Sequence, residues 1–316
     1  MCTAVNFGKY FGRNLDNERS FGENIAVTSR NFKIELRSGK SISSHKAMMG
    51  MAHIRNGIPL YYDCINEAGL YMAGLNFYEA AYRPPSDKLE NIASFELIPY
   101  ILSYCSTVDD AIIMLKKINL TNVCFEPELP PSPLHWMIAD KKRSIAVEST
   151  IDRINIYKNP AGVLTNSPNL PTQLFSLNSF IKLSPKTPKN NFGIPLKKYS
   201  RGMGTIGLPG DLSSNSRFVR AAFVRANSKY SDKSSDNISQ FFHILNSVEQ
   251  PFGCCELESG EYEYTIYQSC IDSDSSTYYY RTYYDQRIRS VSLKTESLNM
   301  DRIISFELEN GEEISI

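Results

Sequence analysis

Residues 2–16, CTAVNFGKYFGRNLD, constrain this chain more than any other stretch. CTAV and YFGR read as short strands on either side of NFGK, a tight-turn sequence, so the chain starts in a strand and doubles back at once. A two-residue turn at Phe7–Gly8 pairs Val5 with Tyr10, Thr3 with Gly12 and Cys2 with Arg13, and a three-residue loop shifts this by one. Either way the returning strand carries RNLD beside the amino terminus. Cys2, Arg13 and Asp16 become neighbours by local geometry alone.

The rest of the chain is strand-rich. NIAVTSRNFKIEL (24–36), RSIAVESTIDRINIY (143–157), YEYTIYQSCID (262–272) and TYYYRTYYDQRIRSVSL (277–293) have the β-branched and aromatic character of strands. SDSS between the last two reads as a hairpin connection. The closing DRIISFELENGEEISI reads as strand with a turn at Asn310–Gly311. Helical signals are fewer. In 236–251, Ile238, Phe241, Phe242 and Leu245 form one apolar face, with Asp236 as cap and Pro251 beyond the end. VDDAIIMLKKINL (108–120) opens on acids and closes on lysines, as a helix dipole favours. Residues 213–228 are a third helix. Residues 93–106 are a fourth, in which Pro99 implies a kink or a late start. Runs of strands with helices between them indicate an α+β layered fold, taken as one domain over 1–316. Residues 184–200, rich in Pro, Lys and Asn, read as a surface loop.

Lys plus Arg equals Asp plus Glu at 34 each, which gives no reason to expect a nucleic-acid partner or an anionic membrane surface. There is no apolar run long enough to span a bilayer and no secretory signal, so a cytoplasmic protein is expected. Seven cysteines without C-x-x-C spacing suggest neither a disulfide framework nor zinc, and the four histidines form no metal motif. A cysteine other than Cys2 is in the first instance a small buried hydrophobe.

Cys2 is different because of what stands before it. Methionine ahead of a small residue is commonly removed, and the freed α-amine would then belong to the residue that carries the thiol. A free α-amine titrates near ~7.7–8.0 and a free thiol near ~8.5, so the amine is a competent base without any histidine. A neighbouring Arg13 favours thiolate, and Asp16 is a candidate to orient the amine. The plain alternative is a meaningless residue-2 cysteine beside a surface ion pair.

The opening stretch resembles that of the choloylglycine hydrolase family, which contains bile salt hydrolases and penicillin V acylases, all N-terminal nucleophile hydrolases. YDCINEAGLYMAGLNF (62–77), LHWMIADKKRSIAVE (134–148), GVLTNSP (162–168) and GLPGDLSSNSRFVRAAF (207–223) continue the resemblance in the family's order, to at least Tyr284. The resemblance implies an αββα sandwich of two antiparallel sheets between helical layers. It also implies a homotetramer, and catalysis with no cofactor or metal. By the same resemblance, Cys2 matches the nucleophile, and Arg13 and Asp16 match the GRN-x-D pair. Asn76 and Asn166 match the oxyanion-hole positions, and Arg217 the remaining active-site arginine. Read without it, Asn76 and Asn166 are turn residues and Arg217 a charge at a helix start. The first hairpin is shorter than the family's pattern.

The implied reaction is hydrolysis of an acyl amide through a thioester at Cys2. Asn at position 76 resembles the bile salt branch, where the penicillin V branch commonly has Tyr, so a conjugated bile acid is the expected small-molecule substrate. Leu15, Phe21, Ile58, Leu60 and Phe125 are candidate apolar pocket residues. Gly202, Met203 and Gly204, in RGMGTIG, resemble the loop of members that favour glycine conjugates. The alternatives are an acylase of the same mechanism acting on penicillin V or an acyl-homoserine lactone and, from another class, a β-rich binding protein with no catalytic site.

Overall fold

The computed structural model describes residues 1–293, 298–309 and 311. The chain opens on β1 (Cys2–Phe7) and β2 (Tyr10–Asn17), then β3 (Glu23–Thr28) and a small ribbon of β4 (Ile34–Glu35) and β5 (Ser41–Ile42). Next come β6 (Met48–Arg55), β7 (Ile58–Asn66), β8 (Tyr71–Asn76), β9 (Glu90–Ala93), α1 (Leu97–Tyr104) and α2 (Val108–Leu115). They are followed by β10 (Ile118–Thr121), β11 (Leu134–Ala139), β12 (Ser144–Ser149), β13 (Ile154–Lys158) and β14 (Val163–Leu164). After α3 (Leu170–Ser176), α4 (Ser214–Asn227) and α5 (Ser234–Asn246), the chain ends in β15 (Tyr264–Asp272), β16 (Thr277–Thr282), β17 (Arg289–Ser292) and β18 (Ile303–Glu307).

Two antiparallel sheets form the centre. The first runs β14-β1-β2-β15-β16-β17, and the second β13-β12-β11-β8-β7-β6-β3-β18. Their inner faces interlock through large side chains. Phe11 of β2, for example, stacks on Tyr71 of β8 with ring centroids 5.4 Å apart. α4 and α5 cover the outer face of the first sheet, while α1 and α2 lie on the second over a core of Leu97, Ile101, Val108 and Trp136. This is the αββα sandwich. Among the described residues, no helix is long and apolar enough to cross a membrane.

The first hairpin forms with a register two residues away from the expected one. Cys2 faces Leu15, Ala4 faces Arg13 and Phe7 faces Tyr10, so the turn is Gly8–Lys9. The reason is Gly8, which takes φ +62 and supplies the left-handed first turn position that a two-residue hairpin loop demands. Phe7 is thereby kept in the strand, its ring 5.4 Å from Tyr230. A slip of two preserves the face, because side chains alternate with period two. One more glycine is obligatory: a Cβ on Gly12 would collide with the Ser269 carbonyl of β15.

Other expectations were met with changed bounds. The stretches 24–36, 143–157 and 277–293 each break into two elements. Short turns interrupt them; at 150–153, for instance, the Thr150 N–H donates to the Arg153 carbonyl. The helix expected over 108–120 ends at Leu115, and its last residues become β10. Pro99 falls in the first turn of α1, so the late start is realised. α5 begins at Ser234 with Asp236 inside its first turn rather than as cap. α3 was not anticipated, although Asn169 caps it and a proline sits in its first turn. Residues 184–200 carry no helix or strand. Asn310 of the expected terminal turn lies outside the described residues.

Candidate active site

β1 is flanked by β2 and by the short β14, which pairs through Ala4–Leu164 and Val5–Val163. The chain leaving β14 therefore runs beside Cys2. Asn166 accepts a hydrogen bond from the Cys2 backbone N–H on Oδ1 at 2.9 Å. Its Nδ2 donates to the Asn76 carbonyl at the end of β8, at 2.7 Å. One side-chain amide thus ties the start of the first sheet to the second. Both the Cys2 and the Asn166 side chains are nearly covered, at 5% and 3% exposure.

Arg217 enters from the first turn of α4, on the helix side of the first sheet. Its guanidinium donates to the Cys2 carbonyl at 2.6 Å, to Thr3 Oγ1 at 2.7 Å, to Asn166 Oδ1 at 2.7 Å and to the Leu212 carbonyl at 2.9 Å. It is fully buried, and burial lowers its pKa against the opposing pull of Asp16 and Cys2. Asp16 Oδ2 lies 3.9 Å from it. The Asp16 carboxylate accepts from Thr265 Oγ1 at 2.6 Å and Gln250 Nε2 at 3.0 Å.

Arg13 approaches from the opposite face. On β2, Arg13 and Leu15 point into the sandwich while Asn14 and Asp16 point to the helices, and Cys2, opposite Leu15, shares the inner face with Arg13. Arg13 Nη1 donates to the Tyr62 carbonyl at 2.9 Å and the Gly74 carbonyl at 2.5 Å. Burial lowers the Arg13 pKa, but the Cys2 sulfur, Tyr267 and Asp63 raise it further, and the net direction is up. The two arginines therefore reach the Cys2 region from the two faces of one sheet.

The two carbonyls that Arg13 holds mark a gap. β7 and β8 pair only through Asp63–Ala73, Cys64–Met72 and Ile65–Tyr71, and beyond this they part. A cavity of about 280 Å³ opens there, lined by Tyr62 and Gly74 and by Phe21, Leu60, Phe125, Leu134 and Trp136. Of the candidate pocket residues named from sequence, Phe21, Leu60 and Phe125 line this cavity. Leu15 packs in the core opposite Cys2, and Ile58 is 39% exposed; neither lines this cavity. Gly202–Gly204 lies in a short 3-10 turn, where the Gly204 carbonyl takes the Ser184 N–H, and it does not line the cavity either.

Sequence reasoning missed two groups. The Met1 ammonium is held by the Asp16 carbonyl at 2.8 Å and by the Glu263 carboxylate. Glu263 is buried, and burial raises its pKa against the pull of that ammonium. Asp63 is completely buried between the sheets and accepts from Tyr267, Ser269 and Tyr278 hydroxyls at 3.0–3.1 Å. No local signal in the sequence pointed to either.

The model of the linear amide C–N hydrolases, choloylglycine hydrolase family, matches residues 2–306. The chain belongs to the choloylglycine hydrolase family. It is accordingly an amide-cleaving hydrolase, and other members share nearly its whole length. A bile salt hydrolase/transferase of Lactiplantibacillus plantarum is 49% identical over 98% of this chain and 97% of its own. A conjugated bile acid hydrolase of Lactobacillus gasseri is 34% identical over 97% of this chain and 100% of its own. Among solved structures, a mutant conjugated bile acid hydrolase from Clostridium perfringens superposes with a TM-score of 0.91 at 32% identity, covering 100% of both chains. Penicillin V acylase from Agrobacterium tumefaciens, at 21% identity and a TM-score of 0.77 over 98% of this chain and 92% of its own, shares the fold.

Proposed function

We propose that this choloylglycine hydrolase family member cleaves the amide bond of glycine- or taurine-conjugated bile acids, with Cys2 as an N-terminal nucleophile after removal of Met1. The observation that carries the mechanism is the cage around Cys2: its nitrogen on Asn166 Oδ1, its carbonyl on Arg217, and Arg13 on the face its side chain shares. The substrate class is supported by the apolar cavity beside Arg13 and by what the full-length relatives are named for.

In this reading, a water passes the thiol proton to the Cys2 α-amine, and the thiolate attacks the amide carbonyl. Two positive guanidiniums within the low-dielectric interior stabilise the anionic sulfur. Asn166 Nδ2 carries two hydrogens; the Asn76 carbonyl takes one, and the other is available to the oxyanion together with the Asn76 amide. The α-ammonium then protonates the departing amine, and water hydrolyses the thioester. Asp16, held by Thr265 and Gln250, is the counter-charge that keeps Arg217 in place. We further propose a bias toward glycine conjugates on the strength of Gly202–Met203–Gly204 alone.

Intact mass and iodoacetamide labelling, run beside glycocholate, taurocholate and penicillin V assays, test these statements together. The expected result is loss of Met1, one fast thiol at Cys2, loss of hydrolysis on alkylation, and turnover of glycocholate above taurocholate. Taurocholate turned over faster removes the glycine bias only. Penicillin V cleaved in place of both moves the substrate class. Activity in protein that retains Met1 overturns the nucleophile assignment.

A further inference from the structure

We propose that the indole N–H of Trp136 donates a hydrogen bond to a hydroxyl on the acyl group seated in the cavity beside Gly74, and so biases the enzyme toward hydroxyl-bearing acyl groups. This rests on the reading that the cavity takes the acyl half of the substrate.

Trp136 is 0% exposed, and its Nε1 is buried with no hydrogen-bond partner. An indole nitrogen can only donate, and a buried one ordinarily finds an acceptor. An unmet donor in an apolar wall is a standing cost, recovered when an oxygen arrives. Position matters as much as burial. Trp136 of β11 sits directly opposite Gly74 of β8. A side chain on Gly74 would begin 3.3 Å from Nε1 and 3.5 Å from Leu134 Cδ1, closer to Nε1 than side chains ordinarily pack, so it is the missing side chain that lets the indole edge lie against the strand where Gly74 and Trp136 both line the cavity. Gly74 is also the residue whose carbonyl takes Arg13 Nη1, so one residue meets both the indole edge and the arginine that shares a face with Cys2. No Asp, Glu, Lys or Arg is among the described residues lining the cavity, which suits a neutral oxygen rather than a second charge. His53 Nδ1, the other buried atom of the lining without a partner, offers a second place for a hydroxyl.

The chain contains a single tryptophan, so a ¹⁵N-labelled indole gives one resonance in the intact protein. Cholate, a hydroxylated product, is expected to move the indole proton downfield and slow its exchange with solvent. 5β-cholanate, which has no ring hydroxyl, is expected to compete for the site without that shift. In kinetics, the wild type should favour the cholyl over the cholanyl glycine amide by a few-fold to about tenfold in kcat/KM, the range of one neutral hydrogen bond. Trp136→Phe should lose most of that preference, and the resonance of the wild type carries the test if the variant does not fold. Equal turnover of both steroid amides with an indole signal indifferent to the hydroxyls overturns this inference and leaves the bile-salt reading intact. Cleavage of penicillin V but of neither steroid amide removes that reading and this inference with it.

Discussion

The charged groups on the helix side of Cys2 and the polar atoms of the cavity wall are treated in opposite ways. On the helix side, Arg217 spreads its donors over the Cys2 and Leu212 carbonyls, Thr3 and Asn166, and Asp16 is met by Thr265 and Gln250. On the cavity side, the lining is mostly apolar, and Trp136 Nε1 and His53 Nδ1 have no partner. A network of satisfied charges fixes one arrangement before any ligand arrives, whereas a wall with unmet donors leaves interaction free energy for the ligand. The first region should therefore be intolerant of change in folding and catalysis alike, and the second should tolerate change in folding and register it in substrate binding.

The largest effect should follow Arg217→Met. It strands the buried Asp16 carboxylate and removes donors from four acceptors, so we expect a loss of about 3–5 kcal/mol in denaturant unfolding together with loss of amide hydrolysis. A variant of wild-type stability would erase the contrast between the two sides. Next in size is Gly74→Val. A β-branched residue suits the strand, and its added atoms fall beside Trp136 and Leu134. KM for glycocholate should rise about tenfold, and the melting temperature should fall, though by less than in Arg217→Met, because the indole must give way to the new Cβ; unchanged KM would mean that the acyl group does not pass Gly74. The smallest effect belongs to Asp211, at the lead-in to α4. Hydrogen bonds from Ser213 and Ser216 pull its carboxyl down to about 2 from an ordinary 3.8. A depressed carboxylate contributes stability above its unfolded pKa and loses it as the pH falls through the folded value. Asp211→Asn should therefore cost at most about 0.5 kcal/mol at pH 6, since the group is largely exposed, and the gap to wild type should close between pH 4 and about 2.

Local geometry made part of the site legible. Cys2, Arg13 and Asp16 lie within one hairpin, where strand pairing alone predicts proximity, and even a two-residue error in register left Cys2 and Arg13 on one face. Asn166 and Arg217 meet Cys2 across 164 and 215 residues of sequence, a distance over which propensity and periodicity carry no information; they were reached through the family resemblance. Asp63 and Glu263 were not reached at all. A buried carboxylate is defined by partners on other elements, such as Tyr278 above Asp63, and no pattern around the residue itself reveals them. Strand interruptions were missed for a related reason: a turn such as 150–153 contains Ile and Thr, residues that propensity assigns to strands.

The seat of Met1 turns removal of one residue into a relocation of charge. With Met1 present, the terminal cation rests against Glu263 and the Asp16 carbonyl. Trimming would regenerate that cation one position inward, about 3.8 Å along the chain, on the nitrogen that already faces Asn166 Oδ1. The carboxylate that anchored the unprocessed end would be left without its counter-ion, and burial would then weigh on it unopposed by that ammonium. Glu263 would in that sense register whether the end has been cut, resting against a cation before and relieved of it after, with Arg217 still opposing the effect of burial.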